Sequence, residues 1–222
     1  VFFTGAFRKP RELNWLIGFL LFVLAMAEGF TGYSLPDDLL SGNGLRIIDG
    51  MMKGLPLIGT WTSYLIFGGE FPGHAIVGRL YTMHILLLPL LVIAFVGLHL
   101  MLMIINKHTQ FAGPGRTNDN VVGYPMMPVY AAKMGGFFFI VFGVIVVLGT
   151  FFQILPFWIY GPYDPSPISA GTQPDWYIGF ADGALRLVPP HLESVFWGHT
   201  WSWNIILPVA VPGIISGVLL VF

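Results

Sequence analysis

The chain contains no cysteine. It therefore brings no thiolate to an iron–sulfur cluster and no attachment point for a covalent c-type haem. Charge is nearly as scarce: Asp, Glu, Lys and Arg make up 9% of 222 residues and the formal net charge is −1. No basic run is present, which excludes an electrostatic nucleic-acid binder. What fills the chain is apolar. Hydrophobic residues reach 55% and mean hydropathy is +0.77, the composition of an integral membrane protein and not of a soluble domain with a large core. The sequence begins at Val1 and stops inside an apolar run at Phe222, and so reads as a piece of a longer polypeptide.

Hydropathy places four membrane spans at about 13–33, 76–105, 135–158 and 204–222. The expected fold is all-α: a polytopic transmembrane helical bundle forming one integral membrane segment over 1–222, with short interfacial helices in the loops. Leu45–Met52 is one such helix. The loops 36–74 and 160–203 are rich in Gly and Pro and too broken to cross a bilayer. Four spans put these two loops on one side, and the N-terminal segment with the loop 106–133 on the other. The second side carries Arg8, Lys9, Arg11, Lys107, Arg116 and Lys133; the first carries Arg46, Lys53, Arg79 and Arg186. Lys and Arg favour the cytoplasmic face, so loops 36–74 and 160–203 are read as outer. Tryptophans near span ends fit an interfacial aromatic belt.

The second span organises the rest. It carries two histidines, His84 and His99, and an ionisable group inside a membrane is costly unless it has a partner. Fifteen residues at about 1.5 Å each separate the rings by roughly 22 Å along the axis, with an angular offset of only about 60° beyond four turns. A single metal ion needs ligands three or four residues apart on a helix. Two donors on one stripe, one toward each surface, suit two stacked haems. Two other classes share part of this pattern. A dihaem membrane anchor of a quinone-linked dehydrogenase has the same haem logic, and a secondary transporter has Pro- and Gly-broken helices with midplane polar groups. No internal repeat supports the transporter.

Five motifs in order carry a family resemblance. Lys9-Pro10-Arg11-Glu12-Leu13-Asn14-Trp15, Gly32-Tyr33-Ser34-Leu35-Pro36, Arg79 five residues before His84, the pair His84 and His99, and Pro174-Asp175-Trp176-Tyr177 together resemble cytochrome b. That is the haem-bearing, quinol-oxidising subunit of cytochrome bc-type respiratory complexes. The phrases GPYDPSPISAGTQPDWY and KHTQFAGPGRT resemble the actinobacterial branch, whose complexes are menaquinol:cytochrome c oxidoreductases.

The resemblance implies specific roles. Two haems b are expected, with His84 and His99 supplying one axial ligand each, toward the outer and the cytoplasmic face respectively. The partner ligands belong to an earlier helix of the family that this chain does not contain. Arg79 is expected near a haem propionate, with an ordinary interfacial arginine as the plain alternative; Arg8, Lys9 and Arg11 are candidates for the same task at the inner haem. Asp175 stands where the family has glutamate in its P-E-W-Y motif, and is expected to take a proton from menaquinol. Pro174 opens a short helix there, Trp176 lines the quinol pocket, Tyr177 hydrogen-bonds near the quinol, and the turn around Gly44 forms the opposite wall. The histidine of the mitochondrial quinone-reducing site is Ile104 here, leaving Lys107 and His108 as substitutes. Implied partners are a Rieske iron–sulfur protein, a cytochrome c subunit, the rest of cytochrome b, menaquinol, membrane lipid and a second copy in a dimeric complex, in a bacterial plasma membrane. Glu28 reads either as part of a proton path or as a snorkelling helix-end acid. His74, His191, His199, Asp182 and Glu193 read as structural or solvated. Gly18, Gly143 and Gly149 would allow close approach of a haem or a neighbouring helix.

Overall fold

Four long helices dominate a computed structural model of the chain, which describes residues 5–107, 109–152, 157–167 and 175–221. These are α1 (Glu12–Tyr33), α4 (Ile76–Asn106), α5 (Met126–Phe151) and α7 (Trp203–Val221), each long and apolar enough to cross a membrane. Shorter helices fill the loops: α2 (Leu39–Lys53), α3 (Gly59–Phe67) and α6 (Trp176–Leu187). The architecture is the expected polytopic helical one, and the chain is a multi-pass membrane protein. At about 1.5 Å per residue the 31 residues of α4 extend well beyond a hydrocarbon core of about 30 Å, so the helix must tilt or protrude.

Contacts divide the chain into two units, one of residues 1–12 and 101–156, the other of residues 13–100 and 157–222. In the larger unit α1 stops at Tyr33 because Pro36 disfavours further helix; the Ser34 hydroxyl then donates to the Phe30 carbonyl at 2.8 Å. Asp38 caps α2, accepting the Ser41 amide at 3.0 Å while the Ser41 hydroxyl accepts the Asp38 amide at 3.0 Å, a reciprocal capping box that satisfies two orphan donors. Gly68, at φ 73°, ends α3 in the left-handed conformation. Leu45, Phe67, Ile76 and Leu80 form the buried core of this unit, with Phe30, Leu35 and Phe71 packed around it. That core fastens α2 and α3 to the end of α1 and the start of α4. Buried Asp49 adds polar fastening, accepting from the Ser63 hydroxyl and from Lys53.

The indole N–H of Trp15 donates to the carbonyl of Leu219 at 3.1 Å. The start of α1 and the end of α7 thus lie at one level, as an even number of crossings requires. Pro208 and Pro212 sit inside α7, and such breaks are tolerated in membrane helices where neighbours re-satisfy the freed carbonyls.

One element was not foreseen. Residues 193–202 form an antiparallel hairpin, β1 (Glu193–Phe196) and β2 (His199–Ser202), pairing Glu193 with Ser202 and Phe196 with His199. Its turn is Trp197-Gly198, at φ 51° and 74°; two successive positive φ values define the tight turn whose twist matches a hairpin. Trp197 is a poor advertisement for that conformation, which is why the segment reads as loop.

In the smaller unit the loop after α4 is held by Asn120. Its side-chain oxygen accepts from the Thr117 amide at 2.8 Å and from Gln110 Nε2 at 2.7 Å, and its Nδ2 donates to the Gly115 carbonyl at 2.6 Å. The third span begins at Met126, nine residues before the expected start, and α5 stops at Phe151. Pro128 sits near its beginning, where a missing N–H costs little. Lys133, about two turns in, lies 3.7 Å from the Tyr124 ring centroid; its charge lowers the hydropathy of a stretch that is helical.

Candidate functional site

Pro89 shapes the helix that carries both histidines. A proline there removes one backbone donor and crowds the carbonyl four residues back. The helix responds with a wider π turn over Met83–Leu87, closed by the Leu88 amide on the Met83 carbonyl. His84 lies inside that turn. A π turn accommodates an extra residue and underwinds the helix, which reduces the offset expected for a fifteen-residue separation in a regular helix.

Both rings consequently face α1. A Cβ built on Gly32 would stand 2.5 Å from His84 Cε1, and one built on Gly18 would stand 3.2 Å from His99 Cε1. The two glycines are fourteen residues apart on α1 and the two histidines fifteen apart on α4, with the helices antiparallel. Each imidazole thus occupies space that exists because α1 lacks a side chain opposite it.

The two rings differ in what holds them. His84 Nδ1 lies 3.1 Å from the Glu28 carbonyl oxygen, 3.2 Å from Thr31 Oγ1 and 3.3 Å from Glu28 Oε1. The Thr31 hydroxyl donates its proton to the Ala27 carbonyl, at 2.9 Å, or to that of Glu28, at 3.0 Å, so toward His84 it is an acceptor. Three acceptors around Nδ1 select the tautomer protonated there and leave the Nε2 lone pair free. His99 Nδ1, by contrast, is buried with no hydrogen-bond partner, as is Glu28 Oε2.

Among the described residues no group of three or more His, Cys, Asp or Glu side chains converges as a cage for a bare metal ion. Each histidine is therefore a lone side-chain donor for a metal among the described residues. That donor set fits an iron whose four equatorial positions are already filled by a porphyrin. The oriented Nδ1–H of His84 is the usual second-shell arrangement for a metal-binding imidazole.

Asp175 is the N-cap residue of α6, and its carbonyl accepts the Gly179 amide at 2.9 Å. Its backbone amide lies against the Tyr33 hydroxyl, which donates to the Leu40 carbonyl at 2.6 Å. A Cβ on Gly44 would stand 2.7 Å from Tyr33 Cε1. Tyr33 therefore stands between two residues singled out from sequence, Asp175 and Gly44, and joins the end of α1 to the start of α6. It was visible only as the second letter of Gly32-Tyr33-Ser34-Leu35-Pro36, and nothing in that phrase shows which way the ring turns. Trp176 and Tyr177 follow in the first turn of α6; Pro174 and His108 lie outside the described residues.

Tyr163 packs over Gly42 of α2 much as Tyr33 packs beside Gly44. Its loop is pinned by the Tyr163 amide on the Asp37 carbonyl at 3.1 Å, and by Arg46 donating to the carbonyls of Pro165 and Pro167 at 3.3 and 3.0 Å. Burial pushes the Tyr163 phenol above its ordinary pKa, while the nearby Arg46 charge pulls it back. Arg79 is engaged with backbone: its guanidinium donates to the carbonyls of Leu65 and Ile66 in the last turn of α3, a favourable place for a cation.

Comparison with known proteins supplies the identity behind this geometry. Residues 1–162 match the family described as cytochrome b(N-terminal)/b6/petB. The cytochrome bc1 complex cytochrome b subunit of Streptomyces coelicolor is 57% identical over 211 residues, 95% of this chain and 38% of that protein. The corresponding subunit of Mycobacterium tuberculosis strain H37Rv is 56% identical over 90% of this chain and 36% of the relative. That of Corynebacterium diphtheriae is 51% identical over 85% and 35%. The chain thus spans little more than a third of the length of these relatives. A solved structure titled hyperthermophilic respiratory Complex III superposes with a TM-score of 0.71, covering 98% of this chain and 55% of that one at 24% identity, a likeness of fold. With a family match over most of its length and both histidines seated as described, this chain belongs to the cytochrome b N-terminal/b6 family.

Proposed function

We propose that this chain is the central, haem-bearing part of the cytochrome b subunit of an actinobacterial quinol–cytochrome c oxidoreductase, with menaquinol as the substrate oxidised. Haem binding in general comes with membership of a cytochrome b family. The finer assignment is that His84 and His99 would each hold the iron of a separate haem b, with further ligands supplied elsewhere in the parent polypeptide. When bound, the two haems supply electron transfer from one membrane face to the other. The observation that carries the reading is the pair of imidazoles on one face of α4, each opposite a glycine of α1.

The chain's own residues would then divide the work. Thr31 and the Glu28 carbonyl hold the His84 Nδ1 proton, orienting Nε2 toward iron. Arg79, exposed beside the start of α4, is near enough in sequence to reach a haem propionate while it caps α3. Asp175 takes a proton from the menaquinol hydroxyl and passes it to water, a role that suits a carboxylate at the mouth of an apolar pocket. Pro174, Trp176 and Tyr177, the other letters of the family motif, are the residues proposed to serve the quinol beside it, with Gly44 proposed for the α2 side, where its lack of a side chain admits the Tyr33 ring. Loss of two protons and two electrons per menaquinol requires an acceptor outside this chain, and a Rieske iron–sulfur protein docking on the outer loops is the proposed one. A cytochrome c subunit, the remaining cytochrome b helices and a second copy complete the proposed complex in the bacterial plasma membrane.

The direct test is absorption of the purified parent complex after His84→Leu or His99→Leu. Each substitution should abolish about half of the dithionite-reduced b-type band, and each should remove a different haem in a potentiometric titration. Retention of both bands in either variant overturns the ligand assignment.

A further inference from the structure

We propose that the side-chain oxygen of Asn14 is the acceptor for the Nδ1 proton of His99, so that Asn14 is a positioning residue for the inner imidazole; the inference rests on the assignment of His99 to a haem. Asn14 Oδ1 and His99 Nδ1 are both shielded from solvent, and neither has a hydrogen-bond partner among the described residues. The first can only accept. The second, on an imidazole that gives Nε2 to a metal, carries the proton and must donate. Leaving both unmatched costs stability twice over, whereas pairing them satisfies each. Asn14 stands in the first turn of α1, where a helix has free backbone donors, yet its oxygen accepts from none of them.

The outer site shows how α1 serves such a ring. Glu28, Thr31 and Gly32 stand near the end of the helix; Asn14, Ile17 and Gly18 stand fourteen residues earlier, in the same order and spacing. Fourteen residues make nearly four turns, at about 3.6 per turn, so the two sets share a face of α1. Each glycine admits a histidine of α4. In the outer set, the residue four before the glycine meets His84 Nδ1 with its carbonyl oxygen at 3.1 Å and with Oε1 at 3.3 Å. The residue one before it adds Thr31 Oγ1 at 3.2 Å. In the inner set Ile17 takes the place of Thr31 and has no hydroxyl. Asn14, at the Glu28 position, is the member of the set whose side chain offers an oxygen.

The spacing permits the contact. Both residues lie in the larger unit of the chain, and a Cβ on Gly18 would stand 3.8 Å from His99 Nδ1. On a helix face, residues four apart have Cβ atoms about 5–6 Å from one another, and the Asn14 amide oxygen projects beyond its own Cβ. The remaining gap is that of a direct bond or of one bridging water, which is nearly as favourable. Asparagine suits the place, because it brings an acceptor without placing a charge in an apolar helix.

The test is a redox titration of both haems in the intact purified parent complex. Asn14→Leu keeps the bulk of the side chain and removes its acceptor; Asn14→Ala removes the same acceptor with less bulk, should the leucine variant not assemble. The imidazole then donates less to iron and the ferric form loses stabilisation. The midpoint of one haem should rise by up to about 59 mV, the one-electron equivalent of a tenfold loss of ferric affinity. That haem should be the one missing from His99→Leu, while the haem of His84 stays where it was. Adding Ile17→Thr to Asn14→Leu rebuilds at the inner site the acceptor that Thr31 provides at the outer one, and should return the midpoint toward the wild-type value. A merely structural Asn14 would give no such return. Unmoved midpoints with both haems present overturn the proposal, as do equal shifts of both haems or a rise that Ile17→Thr leaves in place. Failure of the ligand assignment itself is recognised separately, by His99→Leu retaining both haems.

Discussion

His84 Nδ1 and the Glu28 carbonyl oxygen stand 3.1 Å apart, joining the first third of α4 to a backbone carbonyl between one and two turns before the end of α1. The Thr31 hydroxyl bonds back to the carbonyls of Ala27 and Glu28 in the same stretch, the local contact by which a threonine competes with the helix ladder. The arrangement gives His84 a fixed tautomer by backbone geometry, independent of the protonation of any side chain.

Replacing Thr31 by valine keeps the shape and removes one of the acceptors around that nitrogen. With His84 as an iron ligand, the imidazole becomes a weaker donor, ferric iron is less stabilised, and the reduction potential of that haem rises. Haem retention under detergent washing falls by up to about tenfold, the low end for a lost second-shell contact. A redox titration resolving the two haems checks this: only the one held by His84 should move, and an unmoved pair of midpoints would show that the Glu28 carbonyl alone suffices.

The two glycines opposite the histidines predict an asymmetry. At Gly32 an added methyl would stand 2.5 Å from His84 Cε1, closer than atoms approach, so the ring must shift; at Gly18 the distance is 3.2 Å and a small adjustment serves. Gly32→Ala should therefore cost about 1–3 kcal/mol of site stability through overpacking. Gly18→Ala should come out close to neutral, since alanine returns up to about 1 kcal/mol of helix propensity. Haem occupancy in the two purified variants, with thermal release of haem as the readout, should rank them in that order.

Hydropathy made the four spans legible, because a window of eighteen or more apolar residues has few alternatives. It blurred their ends wherever a helix continues through polar residues, as α5 does past Lys133. The histidine pair was legible because buried imidazoles in a membrane helix have few inexpensive explanations. Its exact phase was not, since the regular-helix offset ignores the π turn that Pro89 induces. The hairpin at 193–202 escaped because Trp197 takes a left-handed conformation that only the neighbouring Gly198 announces. Tyr33 escaped for a different reason: its importance lies in touching Asp175, 142 residues later, and tertiary proximity leaves no local trace.

Asp38 offers a test of the scaffold independent of any cofactor. It is buried, at 5% exposure, caps α2 through Ser41, and bridges to Pro162 in the loop that carries Tyr163. Asp38→Ala removes one half of the capping box and should destabilise the parent protein by about 1 kcal/mol, within the range for lost N-caps. Asp38→Asn, which can still accept the Ser41 amide, should recover most of the loss. Thermal unfolding of the purified complex followed by circular dichroism distinguishes the two. Equal melting temperatures for alanine and asparagine would mean that packing, and not the cap, is what Asp38 provides.

Asp175 separates chemistry from scaffold. Its carbonyl and amide are committed to structure, accepting from Gly179 and lying against Tyr33, whereas its carboxylate makes no capping bond to α6. Asp175→Asn should therefore leave the helix and the haem bands in place while removing the proton acceptor. Menaquinol-driven haem reduction should slow by about 10²-fold, the lower range for general-base loss, while reduction by dithionite is unaffected. Asp175→Glu restores the carboxylate that the family motif carries at this position and should recover most of the rate. The pattern matters more than any single value: slow asparagine with fast glutamate assigns a proton-transfer role. Two equally slow variants would instead mean that the shape around Tyr33 and Gly44 tolerates only aspartate, making Asp175 a structural residue of the pocket.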